Sequence, residues 1–325
     1  MATVTESEIK DALAARYDAR FREDEHLLQA KRAERARIRS AAEKLLTPYW
    51  KRTGLDVEAF RRIQEQAQTE MRRVAELEKE RIIGNSASIT ARLRQSEKSW
   101  VRTVNSFPKA DGPLAANFIP PVFNVIETPS AIEATSGLEI TESHIEPQNN
   151  FAKVKGNWSA NSNPKELHFI FMWSSPNDRY SVVNVGSFLT LNGSCEAAAD
   201  GGFGGIWPGS KLDMSLVATM DIMELWNPPT SGFPSPGIQI LVPPLHADGG
   251  GWFESVGDIE TRSVSGSFGD LRFNQLVVPP NGAAAFVVTL RAFAMNIDGD
   301  GSIGIDFSSG SFEVRCPFVA VAFLS

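Results

Sequence analysis

The sequence predicts an α+β chain: an N-terminal α-helical arm or coiled-coil bundle, followed by a C-terminal antiparallel β-sandwich of jelly-roll type. Three observations carry this reading. Residues 1–104 hold 22 Lys+Arg and 17 Asp+Glu, net +5, whereas the remainder holds 10 and 22, net −12. Apolar residues recur at helical spacing in the first part and at period two in the second. Gly, Pro and Asn punctuate the second part between its apolar runs. The division expected is 1–105 helical oligomerisation arm, 106–150 Pro-rich connector and 151–325 β-sandwich.

Within the arm, Thr5-Glu6-Ser7-Glu8 fits a capping box, and Ile9, Leu13, Tyr17, Phe21 and Leu28 follow at near-helical spacing. This first helix is expected to stop at Thr47-Pro48. Gly54 and Asp56 mark a second start. From there Phe60, Ile63, Ala67, Val74 and Leu77 fall on a 3-4 heptad step, interrupted by Glu70 and followed by Arg81. These five apolar residues are the candidate oligomerisation seam. Gly84-Asn85-Ser86 is expected to end this helix and cap a third, carrying Ile89, Leu93, Trp100 and Val104. A self-contained antiparallel bundle is the alternative to self-association. Trp50 and Trp100 are expected to be packing anchors.

The arginines of the arm invite a nucleic-acid reading, but Glu34, Glu43, Glu65, Glu70 and Glu76 are interleaved with them. Mixed charge at i,i+4 spacing marks solvated helix faces rather than a phosphate footprint, so nucleic acid is not an expected partner.

The connector is broken by Pro108, Pro113, Pro120-Pro121, Pro129 and Pro147, with short strands expected near Val122–Ile126 and Leu138–Ile140. Strand patterns then come in series, at Leu167–Trp173, Tyr180–Leu191, Leu212–Ile222, Ile238–Val242, Gly257–Ser267, Leu271–Val278, Ala285–Met295, Ser302–Phe307 and Ser311–Leu324. Many strands with such turns predict a sandwich, and jelly-roll topology is the first expectation. The last run is apolar on both faces. It is expected either to be central or to be covered by a neighbouring subunit, and Pro317 points to an edge or a bulge. The β domain is expected to fold without the arm.

Four groups of residues bear on chemistry. Two glycine-rich loops, Asp200–Pro208 and His246–Trp252, present aromatics without a phosphate-cradling Gly-Lys-Ser/Thr. Trp207, Trp226, Trp252, Phe203 and Phe233 are the candidate binding surface for a glycan or a protein. Their alternative role is to plug the end of the sandwich. Asn296, Asp298, Asp300 and Ser302 place oxygens at alternate positions around Gly301, as in an EF-hand-type calcium loop. Phe307 stands where a bidentate carboxylate is expected, and a polar β-hairpin turn is the alternative. No cofactor is therefore expected, with calcium at this loop as the alternative. Gly299-x-Gly301-x-x-Gly304 is followed by a strand pattern, which excludes a dinucleotide fingerprint. The two cysteines, Cys195 and Cys316, are expected to be buried thiols.

No hydrolase, zinc-protease or serine–lysine signature occurs, and the expectation is a protein that is not an enzyme. No apolar run reaches 18 residues, so no transmembrane segment is expected. The N-terminus has neither a basic region nor an apolar one, and the chain is expected to be made in the cytoplasm without a signal peptide and to be released as part of a particle. The function expected is structural: a chain that forms homo-oligomers through its arm and displays a β-sandwich for particle assembly or attachment, as in a virus, phage tail or tail-like particle. Its expected partners are copies of itself, other particle proteins and a surface glycan. A receptor-binding toxin with a membrane-acting arm and a carbohydrate-binding or carbohydrate-active sandwich are the alternatives.

Overall fold

A computed structural model of the chain describes residues 30, 33–34, 37–38, 40–41, 44–54, 56–107, 122–202, 209–226, 237–250 and 257–324. The described positions between 30 and 53 are helical, and the helix does not stop at Thr47-Pro48. Proline removes one donor, but its carbonyl still serves, accepting from Arg52 Nε at 3.2 Å. The break comes at Gly54, whose φ of 80° few other residues tolerate.

A second helix then runs unbroken from Val57 to Asn105, 49 residues. Asp56 caps its start by accepting from Ala59 N at 2.9 Å, and Arg102 lies in its last turn, complementing the helix dipole. The expected break at Gly84-Asn85-Ser86 is absent. Asn85 donates back to Arg81 O at 3.2 Å instead of capping, and the Ser86 carbonyl accepts from Asn192 Nδ2 at 2.9 Å. Contacts with the sheet override the local preference.

Thirteen strands are described: β1 Val122–Ile126, β2 Ala131–Ala134, β3 Glu139–His144, β4 Phe151–Ser159, β5 Lys165–Ser174, β6 Ser181–Ala199, β7 Lys211–Glu224, β8 Gly237–Asp248, β9 Asp258–Val278, β10 Ala283–Asp298, β11 Gly301–Asp306, β12 Glu313–Arg315 and β13 Val319–Phe323. All their pairings are antiparallel. In the first sheet β6 is the spine. β9 follows one side of it, and β13, β12 and β11 follow the other in succession, with Val321 opposite Val185, Val314 opposite Leu191 and Ile305 opposite Cys195. β1 lies beyond β13, and β4 and then β3 lie beyond β11 and β12. The second sheet has the order β2-β5-β10-β7-β8.

The two sheets pack face to face. Phe169 and Phe171 of β5, Phe286 of β10, Met214 of β7, Leu189 of β6 and Phe323 of β13 are all fully buried in one core between them. Period-two patterning puts them there, since alternate residues of each strand point inward.

Residues 106–150 are more than a connector, because β1 and β3 belong to the first sheet and β2 to the second. The final run divides at Pro317 into β12 and β13. β13 is central, between β6 and β1. Its Val319, Val321 and Phe323 face the core, while Phe318 and Ala320 pack with Val101 and Val104 of the helix. Both apolar faces are thus covered within one chain. The turn at Gly299-Asp300 is not a hairpin turn, because β10 and β11 belong to different sheets.

Candidate interaction surface

The long helix lies along the outer face of the first sheet, and a line of polar contacts fixes it there. Gln64 Nε2 donates to Gly202 O at 2.5 Å near one end. Lys79 pairs with Asp306 at 3.2 Å, Thr90 Oγ1 donates to Ser311 O at 2.7 Å, and Arg94 holds Glu313 at 2.6 Å. Arg315 grips Glu97, and Asn105 Nδ2 reaches Glu127 at 3.1 Å at the other end. Asn192 of β6 donates to both Ser86 O and Thr90 Oγ1.

Asp306 is the most elaborated of these anchors. Burial pushes its carboxyl up, but Ser309 Oγ, the amides of Ser308 and Ser309 and the Lys79 ammonium outweigh that and hold it below the usual range. It caps the turn after β11 and pins the helix at once. In β12, Val314 points into the core, while Glu313 and Arg315 point at the helix. These anchors were not among the residues singled out by sequence. The signal available was two charges alternating with apolar residues in the terminal run.

The other face of the helix is open. Ile63, Val74 and Leu77 are exposed at 61%, 55% and 51%, and Ala67 is partly buried. At about 100° per residue they lie roughly opposite Ala75, Ile82, Ser86 and Thr90, which are buried against the sheet. The side chain of Phe60, the fifth expected seam residue, lies outside the described residues. On the same face Glu70 pairs with Arg73, and Arg81 with Glu78, both at 2.5 Å. Trp50 is buried, whereas Trp100 is 56% exposed and lies 6.4 Å from the Phe188 ring.

Of the expected aromatic surface, Trp207, Trp252, Phe203 and Phe233 lie outside the described residues. Trp226 is partly buried, packs against the core between the sheets and abuts Gly282. The described glycines of the two loops have a backbone role. A side chain on Gly209 would strike the Gly249 backbone, and one on Gly249 would strike the Asp200 carbonyl. Gly249 N donates to Ser210 O at 2.7 Å, and Ser210 N to Asp200 O at 2.8 Å. Close backbone stacking at this end of the sandwich therefore requires glycine there.

Of the expected calcium loop, the side chains of Asn296 and Asp298 lie outside the described residues. Ser302 stands in β11 opposite Ser159. Asp300 N donates to Ser210 Oγ at 2.8 Å, Gly299 O accepts from Asn161, and Gly299 has φ of 104°. Phe307 is fully buried and fills the space beside Gly193. Among the described residues, no group of three or more His, Cys, Asp or Glu is arranged to hold a metal ion.

Cys195 and Cys316 are free buried thiols, both pushed up to about 12 by burial. The groove beside the helix, about 570 Å³, is lined by Arg94, Glu313, Glu142 and Lys153, which pair with one another at 2.6 and 3.1 Å. Among the described residues, no helix is long and apolar enough to cross a membrane.

No protein-family model matches the chain, and no curated protein does. Among solved structures it is similar, at 10% identity, to the structure of infectious bursal disease virus Gx strain, over 67% of this chain and 46% of that one, with a TM-score of 0.18. It is also similar, at 10% identity, to the crystal structure of the infectious bursal disease virus VP2 subviral particle, over 66% and 42%, with a TM-score of 0.15. The chain spans less than half the length of either, and likenesses at these TM-scores carry no functional argument.

Proposed function

We propose that the chain is a non-enzymatic structural subunit that self-associates through its helical arm and displays the β-sandwich for particle assembly or attachment, as a component of a virus, phage tail or tail-like particle. One observation carries the reading. Of eleven exposed large apolar side chains among the described residues, seven lie on the arm: Ile38, Leu45, Tyr49, Ile63, Val74, Leu77 and Trp100. Exposed apolar surface concentrated on the two helices of the arm marks a contact surface.

The strand order supports a jelly-roll reading of the sandwich. β4-β11-β6-β9 in one sheet faces β5-β10-β7-β8 in the other, so successive strands alternate between sheets except at β7–β8. Capsid and lectin domains use this arrangement, and the step from it to a particle is an analogy of fold. The weak likenesses to a virus particle are compatible with that step, but the reading does not rest on them.

Multi-angle light scattering of the full chain at micromolar concentration tests the reading. The expected result is a multiple of 35.5 kDa, with regular assemblies under negative-stain microscopy. A monomer would overturn it.

A further inference from the structure

We propose that the open face of the long helix pairs with the same face of a second copy, antiparallel, about a two-fold axis between Ala75 and Glu76. This rests on the assembly reading above and specifies one of its contacts. The 3-4 step Ile63, Ala67, Glu70, Val74, Leu77, Arg81 continues through Gly84 and Ser88 on one unbroken helix. Two of these positions hold charges where a coiled-coil seam ordinarily holds apolar residues. Their signs and spacing fix the register.

With the axis between residues 75 and 76, Val74 faces Leu77 of the second copy, and Glu70 faces Arg81. Ala67 faces Gly84, and Ile63 faces Ser88. By symmetry each of these contacts occurs twice, so both seam charges meet their opposites. On one flank Arg73 comes opposite Glu80, again of opposite charge. Alternative pairings fare worse. A parallel, unstaggered pair sets Glu70 against Glu70 and Arg81 against Arg81. An antiparallel pair shifted by one heptad sets Glu70 against Val74, or Arg81 against Leu77. Like charges or an unpaired charge at a contact select against those arrangements.

The structure leaves room for the pair. Ala75, Ile82, Ser86 and Thr90 bind the helix to its own sheet from the other side, so both sandwiches lie outside the paired helices. Gly84 has open space where a side chain would stand. Glycine in a helix interior is poorly favoured, and opposite Ala67 it lets two backbones approach closely. In the single chain Glu70 and Arg81 each pair with a neighbour on the same exposed helix surface. Such pairs contribute little, so exchanging them for contacts between copies is easy.

Cysteine cross-linking of the full chain tests the register. Cys195 and Cys316 are buried and do not compete. V74C mixed with L77C should give a disulfide-linked dimer on mild oxidation, and neither variant alone should link to itself. Charge exchange gives a second measure: E70R or R81E alone should weaken association at least tenfold, and the double variant E70R/R81E should restore it. Self-linking of V74C would show parallel helices or an antiparallel pair centred on residue 74, and either overturns the proposal. No V74C–L77C link in protein that light scattering finds multimeric would overturn the pairing and leave the assembly reading standing. A monomer would overturn both.

Discussion

Arg315 of β12 forks onto Glu97 of the long helix. Nε lies 2.9 Å from one carboxylate oxygen and Nη2 lies 2.9 Å from the other, with both side chains 4% exposed. Asn149 Oδ1 and the Gln148 carbonyl accept from the remaining guanidinium donors, and the Phe151 ring lies beneath at 5.9 Å. A buried pair of this kind contributes specificity of docking more than net stability, because desolvation offsets much of the attraction.

Removing one partner is another matter, since it strands the other. Glu97→Gln should therefore destabilise the protein by about 3–5 kcal/mol. Replacing both, as Glu97→Leu with Arg315→Met, should recover most of that loss. Urea unfolding of the three proteins measures it. A neutral Glu97→Gln would show that the pair does not hold the helix in place.

The helix also covers apolar surface, which bears on whether the sandwich stands alone. Val101 packs on Phe188 and Phe318, and losing the helix would uncover both rings and take Glu97 from Arg315 and Arg94 from Glu313. A fragment of residues 150–325 also lacks β1, β2 and β3, so β13, β5 and β4 each lose the pairing partner on one side. That fragment is expected to be insoluble or molten, contrary to the expectation from sequence that the β domain folds by itself. Residues 56–325 should give a cooperative melt. A cooperative melt of 150–325 by circular dichroism would refute this account.

His168 gives a pH dependence. It lies in β5, with Nδ1 3.0 Å from Thr289 Oγ1 and Nε2 3.6 Å from Glu166, and Glu133 of β2 is its register partner. Glu166 would favour the imidazolium, but its other oxygen is held by Arg291 at 3.3 Å. Burial decides, and lowers His168 to about 4. The unfolded chain takes up this proton near the ordinary value of about 6.5, before the folded chain does. Stability present at neutral pH is therefore lost progressively as pH falls from about 6.5 to about 4, by up to about 3 kcal/mol. His168→Gln should flatten that part of the profile. An unchanged slope in denaturant melts between pH 4 and 7 would assign the loss to other groups.

Periodicity made most of the strands legible, because inward residues such as Leu212, Met214, Leu216 and Ala218 alternate strictly along β7. Local signals failed where tertiary contacts outvoted them. Gly84-Asn85-Ser86 reads as a cap, but hydrogen bonds from Asn192 and to Arg81 keep it helical. Gly257–Ser267 and Leu271–Val278 read as two strands, yet they are one strand, β9, held by pairing with β6 across irregularities opposite Val183–Val185 and Ser187–Leu189. The heptad step that carries the exposed Ile63, Val74 and Leu77 was legible in the sequence. The face it shares the helix with was not, because Glu97, Arg94 and Lys79 look like ordinary solvated charges until β12 and Asp306 are brought beside them.

The corner at Gly299-Asp300 separates the calcium reading from a structural one. Gly299 has φ of 104°, and a side chain there would collide with Ser210, whose Oγ accepts from Asp300 N at 2.8 Å. The chain also passes here from one sheet to the other, with Asp200 N donating to Asp300 O at 3.1 Å. These contacts tie the corner to Asp200 and Ser210. Gly299→Ala should then cost more than about 1 kcal/mol, because it adds both a strained backbone and a clash. Asp300, which is exposed, should tolerate Asn within about 0.5 kcal/mol. A chelator should leave the melting temperature of the native protein unchanged, since no bound ion would be withdrawn. Thermal melts with and without chelator, run on the native chain and on Asp298→Asn with Asp300→Asn, decide between the readings. A chelator-dependent fall in Tm that disappears in the double variant would establish the ion and show that Phe307, though buried in the core, does not prevent the loop from binding it.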